Sequence, residues 1–304
     1  MMKKKRPIFK FQPFSRKQRQ IFTWWADKSP VKDAVGIIAD GAIRSGKTVS
    51  MSLSYVMWAM LKYDGQNFIM AGKTISSFKR NVLQNLKLML TSRGYHWIYH
   101  ISGEFPNMLE VTRNGKTNYF YIFGGKDEGS QDLVQGITAA GAFFDEVALM
   151  PESFVNQATG RCSVEGATWW FNCNPAGPHH FIREEYLAEE AMKQKKVYHL
   201  HFTMDDNLSI SPKRKEEYKN AWPHGSVFYK RFILGKWVAA DGLIYQQFAD
   251  HVQEYLVDQK WLDENQIVYA VIGVDFGGTK SAHSFTLTGF TKGLKQVVVL
   301  DEYY

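Results

Sequence analysis

Between residues 15 and 205, short apolar runs rich in β-branched and aromatic residues alternate with stretches whose apolar positions recur every three or four residues. The first pattern predicts buried strands, the second amphipathic helices. Residues 15–26 read as a helix capped by Ser15, with Ile21, Phe22 and Trp25 on one face. A buried strand over 34–40 precedes a helix over 49–61 that is rich in Met, Leu, Ala and Trp. A strand over 67–71 and a helix over 75–90 follow. The runs 108–112 and 117–123 flank Asn114-Gly115, a dipeptide that favours the tight turn of a β-hairpin. Further strands are expected at 140–144, 167–171 and 197–202, the last preceded by a helix over 180–193. Such alternation predicts an α/β domain around a central, mainly parallel sheet.

The pattern changes after residue 205. Pro212, Pro223, Gly225 and Gly242 punctuate short helices, and 234–237 and 241–245 read as turns, so 206–255 is expected to be a connector. A second unit, 256–304, opens with the strand 267–275, which ends in an acid, and continues with strands at 284–290 and 296–300. The expected division is therefore 1–205, 206–255 and 256–304.

Composition narrows the class. Hydrophobic content of 45% and charged content of 22% are ordinary for a globular protein. No apolar run approaches the roughly 18–20 residues that span a bilayer, and the basic start lacks the apolar segment of a secretory signal. No membrane partner is expected. Two cysteines, Cys162 and Cys173, imply no disulfide framework and fit a reducing, cytoplasmic compartment. The net charge of +7, clustered at 3–6, 16–19, 193–196 and 213–215, favours a polyanionic partner. Solvated faces and a frayed terminus account for the same charge equally well.

Chemistry enters with Gly41-Ala-Ile-Arg-Ser-Gly-Lys-Thr48, which fits the phosphate-binding pattern G-x-x-x-x-G-K-[ST] between a predicted strand and a predicted helix. That order aims backbone N–H groups and a helix N-terminus at a phosphate. Gly41 and Gly46 permit the backbone conformations and close approach that the loop needs, and Ser45 lies beside them. Lys47 is expected to reach the β- and γ-phosphates of ATP, and the Thr48 hydroxyl to hold Mg2+. Arg44, inside the loop, is placed to neutralise charge on the γ-phosphate, or else is a solvated loop charge.

Downstream, Gly141-Ala-Phe-Phe-Asp145-Glu146 is a buried strand ending in two acids. At the strand's carboxyl edge Asp145 is expected to organise Mg2+ and Glu146 to polarise the attacking water. Taken alone, such a position is more often filled by surface acids. Asn172 and Asn174 end the next strand before a Pro/Gly turn, where an amide can sense the γ-phosphate, although Asn also favours turns for its own sake. Gln18 on the first helix is a candidate for the adenine edge, against the plainer reading of a solvent-facing amide. The pairs His179/His180 and His199/His201 suggest a metal, but adjacent and alternate spacings without nearby Cys favour surface or strand histidines. Asp275, in Val274-Asp-Phe-Gly-Gly-Thr279, is a candidate first ligand of a two-metal nuclease or a structural Asp at a turn.

The order of these motifs resembles the large terminase subunit of tailed bacteriophages and prophages, the ATP-driven motor that packages DNA into capsids. The arginine-bearing loop Gly41–Thr48, Phe143-Phe-Asp-Glu146, the segment 171–181, Phe232-Ile-Leu-Gly-Lys-Trp237 and Gly242-Leu-Ile-Tyr245 carry the likeness. It implies a P-loop ATPase of the additional-strand type, followed by an RNase H-like nuclease that uses Mg2+ or Mn2+. By position, Arg44 matches the family's loop arginine, Asp145 and Glu146 its hydrolysis pair, Asn172 and Asn174 its coupling segment, and Asp275 its first nuclease acid. Implied partners are double-stranded DNA, the small terminase subunit and the portal protein, with homo-oligomers forming on the portal in the host bacterial cytoplasm. The family's nuclease continues past this point, so the chain reads as shortened, with ATP hydrolysis expected and independent DNA cleavage not. Two rival readings share the loop and the acid pair: a helicase-like nucleic-acid remodeller, and a non-motor assembly protein that uses nucleotide as a switch.

Overall fold

The computed structural model describes residues 9–103, 106–239, 248, 251–277 and 283–303. The basic cluster at 3–6, the segment 242–245 and Thr279 lie outside them. The chain divides into two compact units, 1–241 and 242–304.

In the first unit, eight strands form one sheet: β1 (Gly36–Gly41), β2 (Asn67–Gly72), β3 (His96–His100), β4 (Met108–Arg113), β5 (Lys116–Gly124), β6 (Gly141–Asp145), β7 (Thr168–Asn172) and β8 (Val197–Phe202). Their order is β3-β4-β5-β2-β6-β7-β1-β8. The run from β5 to β8 is parallel, and β4 is antiparallel to both β3 and β5. Asn114 and Gly115 both adopt positive φ at the β4–β5 turn, as their residue types favour.

A parallel sheet is covered on both faces, so its central strands are apolar up to their carboxyl ends, and alternate residues feed two cores. Ile37, Ala39, Phe143 and Trp170 point into a core shared with α1 (Arg16–Thr23) and α2 (Lys47–Lys62). Ile38, Ala142, Phe144 and Phe171 point into another, closed by α5 (Glu152–Gly160) and the π turn Ile182–Tyr186. At the centre of the first, Tyr55 packs edge-on against Phe68, Phe120 and Trp170. Its hydroxyl donates to the Ile69 carbonyl at 3.1 Å, which removes the cost of burying it.

Three local features depart from the sequence expectation. The helix expected over 75–90 is α3 (Ile75–Phe78) and α4 (Gln84–Ser92) joined by a π turn at Lys79–Leu83. The helix expected over 180–193 is the π turn Ile182–Tyr186 and α6 (Glu189–Gln194), separated at Ala188, whose ψ of 142° is extended. β3, absent from the sequence reading, is an edge strand whose side chains are half-buried or exposed, so it lacks the apolar signature of its neighbours.

Residues 206–239, expected as a connector, pack on the first unit. Ile43 donates its N–H to the Phe232 carbonyl at 2.9 Å, and Trp237 Nε1 donates to Asp40 Oδ2 at 2.8 Å. In the second unit, β9 (Ile267–Asp275), β10 (Ser284–Thr291) and β11 (Val297–Tyr303) form an antiparallel sheet in the order β11-β10-β9.

Candidate functional site: a cleft at the carboxyl edge of the sheet

β1, β7 and β6 are parallel neighbours, with Ala39 and Asp145 both in register with Asn172. Their carboxyl ends therefore place the 41–48 loop, Asn172 and Asp145 side by side, at the edge where open α/β sheets bind ligands. The cleft has a volume of about 630 Å³ and is lined by Arg44 to Thr48, Asp145, Glu146, Asn172 and Asn174.

The loop's shape needs its glycines. Gly41 has φ of 121°, and a Cβ there would lie 2.0 Å from the Phe202 carbonyl oxygen. Gly46 has φ of 85°, and a Cβ there would meet the Gln18 amide at 2.4 Å. Gly46 also caps α2, so the helix begins at Lys47 and its N-terminus faces the cleft.

Lys47 is buried, and its ammonium donates to the carbonyls of Gly41 (3.1 Å) and Ala42 (2.6 Å), to Ser45 Oγ (3.1 Å) and to Asn174 Oδ1 (3.3 Å). Burial pulls its pKa down to about 8, with nearby Asp40, Asp145 and Glu146 opposing the shift. Thr48 Oγ1 donates to Asp145 Oδ1 at 3.0 Å, and Asn172 Nδ2 donates to the same oxygen at 2.7 Å. Burial pushes the Asp145 carboxyl up to about 6; the Asn172 hydrogen bond opposes this and the adjacent Glu146 charge adds to it. Glu146 itself is in the left-handed region, φ 59° and ψ 49°, a conformation that costs a non-glycine residue about 1 kcal/mol or more and that turns the chain sharply after β6.

The structure thus brings together Lys47, Thr48, Asp145, Asn172 and Asn174, with Glu146 on the rim. Arg44 is exposed: its guanidinium lies 5.6 Å from the Tyr218 ring centroid, and Asn207 holds its carbonyl at 2.7 Å. Gln18 does not face solvent. It is buried, its amide oxygen accepts from the Ser15 N–H at 2.9 Å in a capping box, and it lies against Gly46. Arg80, Asn81 and Asn85 also line the cleft, brought there by the helical segment that contains the π turn, a geometry that no sequence pattern announces.

Asp275 ends β9, exposed, in register with Ser284. Among the described residues, the His, Cys, Asp and Glu whose ligand atoms converge within 4.8 Å are Asp40, His199 and His201; Asp275, Asp301 and Glu302 do not form such a group. His180 Nε2 donates to the Ala148 carbonyl (3.1 Å), and His179 pairs with Glu184 (3.0 Å). Cys162 and Cys173 are free thiols whose pKa values burial pushes up, so both stay protonated.

The loop is clamped from behind. Gly235, at φ 67°, sits so close that a Cβ would lie 2.8 Å from the Ala42 nitrogen and 2.9 Å from the Gly41 Cα. We expect Gly235→Ala to destabilise the protein by about 1–3 kcal/mol and to weaken nucleotide binding, because the clash is with loop backbone rather than a movable side chain. Urea unfolding and nucleotide titration of the variant measure both; an unchanged midpoint would mean that the clamp yields freely.

A glycine loop on β1, an acid on β6 and an intervening strand β7 define a P-loop nucleotide-binding fold of the additional-strand type. Residues 38–249 match the family described as terminase large subunit, T4likevirus-type, N-terminal. Among solved structures, the large terminase of a thermophilic bacteriophage is 52% identical, with a TM-score of 0.72, over 96% of this chain and 68% of that one. The ADP complex of that terminase matches at 51% identity and TM-score 0.71, and its ATP-γ-S complex at 49% and 0.70, with the same coverage. No curated protein matches. The chain belongs to the large terminase subunit family.

Proposed function

We propose that this chain is the ATP-hydrolysing motor of a phage DNA-packaging machine, acting on double-stranded DNA with a small terminase subunit and a portal protein. The observation that carries the reading is the hydrogen-bonded set Thr48–Asp145–Asn172 beside the buried Lys47. A hydroxyl and a carboxylate 3.0 Å apart are hard oxygen donors of the kind Mg2+ takes, so Thr48 and Asp145 fit that ion. Bound there, Mg2+ supplies positive charge to the phosphates of ATP. The thermophilic phage's large terminase, about half identical to this chain, has been solved with ADP and with ATP-γ-S.

In this reading the Lys47 ammonium exchanges its loop carbonyls for β- and γ-phosphate oxygens. Glu146 orients a water for attack on the γ-phosphorus and takes its proton, and the bond to ADP breaks. Arg44 reaches the γ-phosphate by leaving the Tyr218 ring. Asn174, bonded to Lys47, and Asn172, bonded to Asp145, report loss of the phosphate to the segment that follows β7. Adenine occupies the small cleft of about 180 Å³ lined by Phe9, Phe11, Phe14, Gln18 and Val49, which offers aromatic faces and an amide. The second unit, whose described strands form an antiparallel meander with Asp275 at the end of β9, is read as the start of an RNase H-like nuclease. The division into 1–205, 206–255 and 256–304 belongs to the same reading.

Steady-state ATP hydrolysis with and without linear duplex DNA tests the motor. We expect turnover that DNA increases. Absence of hydrolysis even with DNA, portal and small subunit present would leave only a nucleotide switch.

A further inference from the structure

His199 and His201 alternate along β8 and so share one face, while Leu200 between them is buried on the other. β8 pairs in register with β1, His199 opposite Ile38 and His201 opposite Asp40. Both imidazoles consequently converge on one carboxylate: His199 Nε2 lies 2.8 Å and His201 Nδ1 2.9 Å from Asp40 Oδ1. The second oxygen of Asp40 accepts from Trp237 Nε1 at 2.8 Å. None of these groups takes part in the nucleotide chemistry above.

Asp40 is 2% exposed, and the pairing with the two histidines holds its carboxyl well below the usual range despite its burial. Its hydrogen-bond partners are two imidazoles and an indole, none of them a permanent cation. The histidine side chains are 28% and 42% exposed, so the cluster borders solvent. Two imidazole nitrogens and one carboxylate oxygen suit zinc-class transition metals and not Mg2+ or Ca2+, and three protein ligands leave a position for water. Ligand lengths of about 2.0–2.1 Å around a tetrahedral ion put ligand atoms about 3.3 Å apart, so each histidine nitrogen needs to draw back from Asp40 Oδ1 by only about 0.5 Å. Trp237 fixes the carboxylate from behind, as outer hydrogen bonds do in metal sites.

We propose that Asp40, His199 and His201 form a binding site for a zinc-class divalent ion, on the sheet face behind the phosphate loop and distinct from the Thr48–Asp145 site. The ion replaces the protons through which the two imidazoles now bond Asp40, and ties β8 to β1 where residues 235–237 dock.

Zinc binding by the full chain, measured by equilibrium dialysis against Zn2+ with millimolar Mg2+ to occupy the nucleotide site, tests this. The expected result is one Zn2+ per chain and a melting temperature raised on the order of 5 °C over the protein in EDTA. His199→Gln and His201→Gln are each expected to weaken binding at least tenfold, and Trp237→Phe, which keeps all three ligands, by about tenfold. The melting temperature of each variant in EDTA shows whether it is folded. Co2+ gives a second readout, an absorption band of tetrahedral type that disappears in folded His201→Gln. No zinc retained by the parent, or zinc retained equally by both histidine variants, would overturn the site and leave the cluster as hydrogen-bonded support for a buried carboxylate.

Discussion

Glu146→Gln is expected to bind ATP within about twofold of the parent and to hydrolyse it at least about 100-fold more slowly, the usual cost of losing a positioned general base. Glutamine keeps the side chain's length and the polar rim of the cleft but accepts no proton from water. The left-handed turn at residue 146 is a backbone property that either residue adopts at similar cost, so the carboxylate is the variable under test. Nucleotide affinity should survive because Lys47, Thr48 and the glycine loop, which contact phosphate in the proposed reading, are untouched. Single-turnover hydrolysis and equilibrium binding separate the two effects. A variant that hydrolyses ATP at the parental rate would remove Glu146 from the mechanism and move the base to another group.

The nucleotide cleft and the Asp40 cluster differ in how far the sequence announces them. The 41–48 loop is legible because its function is a backbone conformation: Gly41 and Gly46 have φ values that other residues avoid, and a Cβ at either collides within 2.4 Å. Asp145 and Asn172 are legible because strands buried on both faces tolerate a polar residue only where they end. The Asp40–His199–His201 cluster is not, since the histidines lie 159 and 161 residues from Asp40 and meet it only through the β1–β8 register. Alternate histidines without cysteine do not indicate which residue would supply a third ligand. Gln18 illustrates a partial case: Ser15-x-x-Gln18 fits the capping-box pattern, so its folding back on the cap is legible, whereas its contact with Gly46 is set by tertiary packing. Likewise β3 and the π turn at Lys79–Leu83 have ordinary local composition, and tertiary packing decides their form.

The composition of the site also sets a conflict between stability and activity, which Asp145→Asn should expose. Burial raises the carboxyl to about 6 against its ordinary 3.8. The ionised form that the proposed Mg2+ role needs is therefore the form that burial disfavours. Below pH 3.8 the group is protonated folded or unfolded, and contributes nothing to the pH dependence. Between 3.8 and 6 the folded state holds the proton that the unfolded state releases, so parental stability from this group falls as pH rises and levels off above 6. Asparagine keeps the acceptor for Thr48 and Asn172 but has no charge to bury. Without metal or nucleotide, the variant should exceed the parent by about 2–3 kcal/mol at about pH 7.5, with the gap closing as pH falls towards about 4. Added Mg2+ and ADP should reverse the order, because only the carboxylate offers the ion a charge, and hydrolysis by the variant should fall by at least about 100-fold. Denaturant unfolding across pH, with and without Mg2+-ADP, reads both signs. If the metal-free variant is the less stable protein near neutral pH, the extra strength of the Thr48 and Asn172 hydrogen bonds to a charged acceptor outweighs burial, and the proposed tension between folding and catalysis at Asp145 does not exist.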